Sequence, residues 1–198
     1  MIRFLALPLA ATLVVLSGCA SRQSLVPDVQ RQEAAGGVRT VSVAPERLAC
    51  TGGTRCPVLA ASWTSEKKSQ AVLGIGLPGQ AAVTGADVHV GGSEVVRLRV
   101  PLATPGAGMA QPPGYALTGF DVPLRLVDQI AHGTRTWMRV YTANGMQVDE
   151  SIFSGEERSR ASEAMAQFLG AVQAAGGEGV GLQGSRGGLL EQFGGGAK

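Results

Sequence analysis

Three groups of residues in this chain are of types and spacings that could do chemistry. In "ACTGGTRCP", Cys50 and Cys56 stand six positions apart around two glycines, a pair open to metal binding, redox cycling or a structural staple. Asp128 and His132 lie four residues apart, one helical turn, so the carboxylate can orient the imidazole as a general base. Arg135, Trp137, Arg139 and Tyr141 alternate along an extended segment and so share one face of a strand, which Arg97 and Arg99 can extend from a neighbour. Guanidinium groups there can bind anions, and rings can stack on sugars or apolar side chains.

Each group has a plainer reading beside the chemical one. No nucleophile or oxyanion-hole motif stands near Asp128 and His132 in sequence, and a cationic His132 suits the last turn of a helix on dipole grounds alone. If a loop covers the arginine and aromatic ladder, Trp137 and Tyr141 are buried with the arginine stems lying along them. "GIGLPG", Gly74 to Gly79, spells G-x-G-x-x-G, but Pro78-Gly79 makes a turn where a dinucleotide site needs a helix, so it reads as a strand end. His89, between Val88 and Val90, reads as an outward strand residue, and no metal site or cofactor is expected.

The elements that position these residues read as follows. "VRTVSVA" and "VLAASWT" are strand-like and flank the cysteine loop, and "SEKKS" makes a turn. "QAVLGIGL" then sets Ala71, Leu73, Ile75 and Leu77 on one face. "DVHVGGSEVVRLRVPL" is a hairpin turning at Gly91-Gly92, with Val96, Leu98, Val100 and Leu102 on one side and Val95, Arg97, Arg99 and Pro101 on the other. A Pro/Gly-rich loop covers Thr104 to Gly114. "FDVPLRLVDQIAHG" follows as a short helix begun by Asp121 and Pro123, with Leu124, Val127, Ile130 and Ala131 as its apolar stripe. "RTWMRVYTANGMQVDESIF" is a second hairpin turning at Asn144-Gly145, with Thr136, Met138, Val140 and Thr142 toward the core. Ser154 and Glu157 have capping-box spacing before a helix whose stripe is Ala161, Met165, Phe168 and Val172.

The N-terminus has a basic Arg3, an apolar run to Leu16 too short to span a bilayer, and small residues before Cys19. Leu16-Ser17-Gly18-Cys19 resembles the lipobox of bacterial lipoproteins, an aliphatic residue and two small ones before cysteine. The resemblance covers the first tenth of the chain. It implies cleavage before Cys19, diacylglycerol on its sulfur and acylation, palmitate for example, of the new amino group. Three acyl chains make a lasting anchor. Ala20, where retention in the inner membrane would use aspartate, implies the outer membrane. Export, under this reading or as an ordinary secretory signal, implies an oxidising compartment and a Cys50–Cys56 disulfide. His89 and His132 are not at zinc-knuckle spacing, and five residues separate the thiols where a thioredoxin-like site has two.

With 44% apolar residues in 198, the chain is globular, and removal of Arg3 with the signal leaves 17 − 1 = 16 basic against 15 acidic residues, a formal +1. That excludes a bulk electrostatic case for nucleic acid. The expectation is a single α+β domain, an antiparallel sheet of about six or seven strands with two helices on one face. Residues 1–18 read as the signal, 19–37 as a flexible tether, 38–175 as the domain and 176–198, with 10 glycines in 23 residues, as a flexible tail. In the tail, "GLLEQF" carries Leu189, Leu190 and Phe193, a docking segment or one that is idle or folds back. The functional expectation is a lipid-anchored, periplasm-facing envelope module that binds a protein or glycan without catalysis. The alternatives are an envelope hydrolase using Asp128 and His132, or a lipoprotein whose anchor is its functional part.

Overall fold

The computed structural model describes residues 26–50, 55–79, 82–99, 109 and 113–179. In chain order the elements are β1 (Val29–Glu33), β2 (Arg39–Arg47), β3 (Val58–Thr64), β4 (Gln70–Pro78), β5 (Val83–Val90), β6 (Glu94–Arg99), β7 (Tyr115–Pro123), α1 (Leu124–His132), β8 (Thr136–Thr142), β9 (Gln147–Phe153) and α2 (Arg160–Ala174). Among the described residues the class is α+β, the strand pairs are antiparallel, and one domain forms with two helices, as the sequence leads one to expect. Among the described residues the strands number nine and divide into two sheets, β1-β2-β3-β4-β7 and β6-β5-β8-β9.

Period-two alternation builds the core. Ala71, Leu73, Ile75 and Leu77 of β4 are buried on one face beside Leu59, Ala61 and Trp63 of β3 and Phe120 and Val122 of β7. The inner face of the second sheet, with Ala86, Val88, Met138, Val140 and Ile152, joins the same cluster. The stripes read on α1 (Leu124, Val127, Ile130, Ala131) and α2 (Ala161, Met165, Phe168, Val172) are wholly buried in it. The first sheet also has a small apolar cluster on its outer face, where Met109 packs with Val58, Ala60 and Leu117. "GIGLPG" is accordingly strand, and a Cβ at Gly74 would lie 2.8 Å from the Met109 sulfur. Glycine there makes room for that methionine.

Several elements differ from their sequence reading for identifiable reasons. β1 falls inside the stretch read as tether. It is an edge strand with four polar residues exposed in sequence, Gln30 to Glu33, held by backbone bonds to β2, so it has no apolar period to detect. β7 falls where only a loop and a helix start were read. Its first half buries both faces, with Leu117 outward under Met109 and Thr118 inward donating to the Val83 carbonyl at 3.0 Å, so alternation is lost. Asp121 is therefore a strand residue, 3.7 Å from the Lys67 amine, and Pro123 occupies the α1 N-cap without a side-chain cap. The α2 N-cap is Ser159, whose hydroxyl accepts from the Ser162 amide at 3.1 Å, while Ser154 closes its own turn by accepting from the Glu156 and Glu157 amides. Both hairpins form. Gly91 and Gly92 have φ of 60° and 83°, and at the second turn Gly145 has φ of 78° with its amide donating to Thr142. Val100 to Leu102 lie outside the described residues, as do the signal, Cys19 and the segment around Leu189.

The Cys50 and Cys56 sulfurs are bonded, 2.01 Å apart, and the Leu48 amide donates to the Pro57 carbonyl beside them, so the staple closes the passage from β2 to β3. Replacing both cysteines by alanine should lower the unfolding free energy by roughly 2 kcal/mol, the closure entropy of so short a loop. Ser159→Ala should cost about 1 kcal/mol, and Ser154→Ala clearly less. Urea denaturation of the three variants checks both statements, and an equal loss at the two serines would contradict the cap assignment.

Candidate binding face

The outer face of the second sheet is set by what its inner face buries. Because Ala86, Val88, Met138 and Val140 point inward, Asp87, His89, Trp137, Arg139 and Tyr141 must point out. Cross-strand register arranges the outward residues of β6, β5, β8 and β9 in three rows. The first is Val95, His89, Trp137 and Ser151; the second Arg97, Asp87, Arg139 and Asp149; the third Arg99, Gly85, Tyr141 and Gln147. The structure thus brings together Arg97, Arg99, Trp137, Arg139 and Tyr141. Arg135 is not a rung of this ladder. It precedes β8 in the left-handed region at φ 55°, in the tight turn from α1, so strand alternation begins only at Thr136.

Pairings within the face fix these side chains. The Arg139 guanidinium donates twice to Asp149, at 2.7 and 2.6 Å. Arg99 lies 2.8 Å from an Asp87 oxygen, and the Tyr141 hydroxyl donates to the other at 2.7 Å. Gly85 permits this arrangement, because a Cβ there would lie 2.7 Å from the Leu98 carbonyl and 3.1 Å from the Arg99 side chain. His89 and Trp137 rings stack at 3.6 Å, while Arg99 sits 5.0 Å from the Tyr141 ring centre and Arg139 5.8 Å from that of Trp137. Three arginines meet two aspartates here, which leaves one cation in excess.

The titration behaviour of the face follows from these contacts. Burial pushes the Asp87 carboxyl up, but the close Arg99 guanidinium, the Tyr141 hydrogen bond and the charges of Arg99 and Arg97 together outweigh it and hold the group below its ordinary 3.8. The Arg139 hydrogen bonds likewise lower Asp149 against a smaller effect of burial. Tyr141 is raised above 10.0 by its bond to Asp87, then by burial and by the Asp87 charge. Neither carboxylate nor His89 entered the sequence reading of the face. Asp87 and Asp149 had a signal, since each stands opposite Arg139 once both hairpins are put in register.

Elsewhere, His132 Nδ1 lies 3.0 Å from Asp128 Oδ1, with Asp128 only 1% exposed and its Oδ2 without a hydrogen-bond partner among the described residues. Among the described residues no hydroxyl or thiol is bonded to that ring, and no group of three His, Cys, Asp or Glu is placed to hold a metal. No family model matches this chain, and no significant match was found among curated proteins or solved structures.

The chain has two tyrosines, Tyr115 and Tyr141. Alkaline titration followed by phenolate absorbance should show one of them ionising above the normal range, and Asp87→Asn should bring that transition down. The lowered aspartates act in the opposite pH range. Their stabilising effect is complete above the unfolded value near 3.8 and is lost as pH falls through the lower folded values. Asp87→Asn should therefore flatten the acid side of the stability profile below about pH 4. An unchanged tyrosine titration in that variant would contradict the Tyr141–Asp87 bond.

Proposed function

We propose that this chain is a lipid-anchored, periplasm-facing lipoprotein of the bacterial outer membrane that binds another envelope component through the outer face of the four-stranded sheet, without catalysis. The observation that carries the binding reading is the state of that face. Its aromatic and charged side chains are held in fixed positions by one another, while both helices pack on the inner side of the fold. Rigid groups lose little conformational entropy when a partner arrives, which favours recognition. The lipobox Leu16-Ser17-Gly18-Cys19 supports the anchor and the compartment.

The partner's chemistry is narrowed by the same contacts. His89 covers one face of the Trp137 indole, so at most the other face is open to a sugar ring. Arg99 and Arg139 meet a partner only by sharing their aspartates, whereas Arg97 is exposed. An extended or convex protein surface with carboxylate or carbonyl groups fits these demands better than a stacked glycan.

One observation favours a second reading. The buried Asp128 carboxylate bonded to a partly exposed His132 has the geometry of a general-base pair, as an envelope hydrolase would use. Activity on peptidoglycan or lipid that disappears in His132→Ala while the fold survives would establish it.

The binding reading predicts that Trp137→Ala with Arg139→Ala reduces capture of an envelope partner in crosslinked cells, with the fold intact and only a modest loss of thermal stability, because the Arg139–Asp149 pair that is removed is partly exposed. Unchanged capture with the fold intact would sink it. A secreted Cys19→Ser form tests the anchor's part separately. Full rescue of a deletion phenotype by that form would show that anchoring is dispensable.

A further inference from the structure

The four-stranded sheet ends differently on its two sides. At the β9 side the segment after β2 closes it, because the Ala49 amide donates to the Ser151 carbonyl at 2.9 Å. At the β6 side no further strand follows among the described residues. The Ala49 bond also fixes which way the backbone groups between these edges point. In an antiparallel pair the amide and carbonyl of one residue point to the same neighbouring strand, and successive residues alternate. Since Ser151 points off the β9 edge, Val148 and Glu150 point to β8, where they meet Val140 and Met138. Trp137, Arg139 and Tyr141 then bond to His89, Asp87 and Gly85 of β5, which leaves Ala86, Val88 and Val90 for Leu98, Val96 and Glu94 of β6. The Arg99 guanidinium supports this assignment, because it donates to the carbonyls of both Ala86 and Leu98. Val95 and Arg97 therefore turn their amides and carbonyls off the free edge of β6, where no hydrogen bond from the described residues meets them.

The side chains beside those groups define what fits them. The middle row of the face alternates in charge from strand to strand, Arg97, Asp87, Arg139, Asp149. Arg97 ends the row at the open edge. It is exposed and makes no ion pair among the described residues, whereas Arg99 and Arg139 each have an aspartate. Val95, on the same side of β6, is 40% exposed, which is unusual in this fold for a large apolar side chain. A strand laid antiparallel along β6 sets one residue opposite each of them. A carboxylate opposite Arg97 continues the alternation, and an apolar β-branched residue opposite Val95 covers it.

We infer that β6 is the docking edge for an extended segment of a partner protein, added to the sheet as its fifth strand and carrying Asp or Glu opposite Arg97. This rests on the binding face proposed above and states how its partner is held. Val95 and Arg97 together offer two donors and two acceptors, ladder bonds that need no particular side chain, while their own side chains select the sequence. A second copy of this chain does not meet the same demand. The one carboxylate of β6, Glu94, lies on the opposite side of the strand from Arg97 and accepts from Gln129, so β6 paired with itself in a continuous sheet brings Arg97 no negative partner.

The test uses the purified full chain and three synthetic peptides. The first is Thr-Val-Glu-Val-Val-Thr, the second has lysine in place of glutamate, and the third is the first N-methylated on the glutamate and on the last valine, the amides that would meet β6. Amide exchange is followed by NMR. In the free protein the Val95 and Arg97 amides should exchange rapidly while those of Val96 and Leu98 are protected. Slow exchange at Val95 and Arg97 there means that another part of the chain or a second copy already fills the edge, and overturns the inference. The glutamate peptide should protect Val95 and Arg97 and bind about tenfold more tightly than either of the others, and Arg97→Glu should invert the preference between glutamate and lysine. Protection of Val96 and Leu98 in that variant verifies that its sheet is intact. Equal binding of the N-methylated peptide, a glutamate preference unchanged in Arg97→Glu, or no binding of any peptide overturns strand addition. If it fails while capture in cells still falls in the protein carrying Trp137→Ala and Arg139→Ala, the binding face stands without it. Unchanged capture in that protein sinks the face, and the docking edge falls with it.

Discussion

One carboxylate, Asp87, holds the outer face of the four-stranded sheet together. It stands on β5, receives the Tyr141 hydroxyl from β8 and lies against Arg99 from β6, so three strands meet at a side chain only 14% exposed. Two partners offset the cost of keeping that charge mostly out of water, and both are fixed by doing so. The missing side chain at Gly85 is part of the same device, since the Arg99 stem crosses the space a Cβ would fill. Asp149 repeats the arrangement at the next strand with Arg139.

The core explains why such a network faces outward at all. Two sheets and two helices share one apolar cluster, and period-two alternation sends every other residue of β5 and β8 away from it. What would elsewhere be a solvated polar surface becomes here a set of planar groups in register, with the His89–Trp137 stack at one end and the Arg99–Tyr141 contact at the other. Mutual pairing also moderates the face. Arg139 is not a free cation, so a partner must compete with or share Asp149 rather than meet a bare positive ladder.

Much of this was legible in the sequence where a single face is buried. The stripes of α1 and α2, the alternation of β4 and both hairpins follow from apolar spacing and turn residues alone. Legibility failed where that physics does not apply. β1 packs only the partly buried Val29 against the core, and the first half of β7 buries both faces. The α2 cap was misread because Ser154 and Glu157 have capping spacing but spend it on a turn five residues upstream of Ser159. In the face, Trp137, Arg139 and Tyr141 were readable from alternation, whereas Arg135 was lost to a left-handed turn. Asp87 required cross-strand register, a property of two segments together.

The claim that this face is occupied in the cell is tested most directly by hydroxyl-radical footprinting of the same chain, purified and in intact envelopes. Trp63 supplies an internal control, being 1% exposed with its indole nitrogen bonded to the Lys68 carbonyl. The account predicts that Trp137 and Tyr141 are oxidised readily in the purified protein and protected in the envelope, with Trp63 protected in both. Equal oxidation of Trp137 in the two preparations would contradict it.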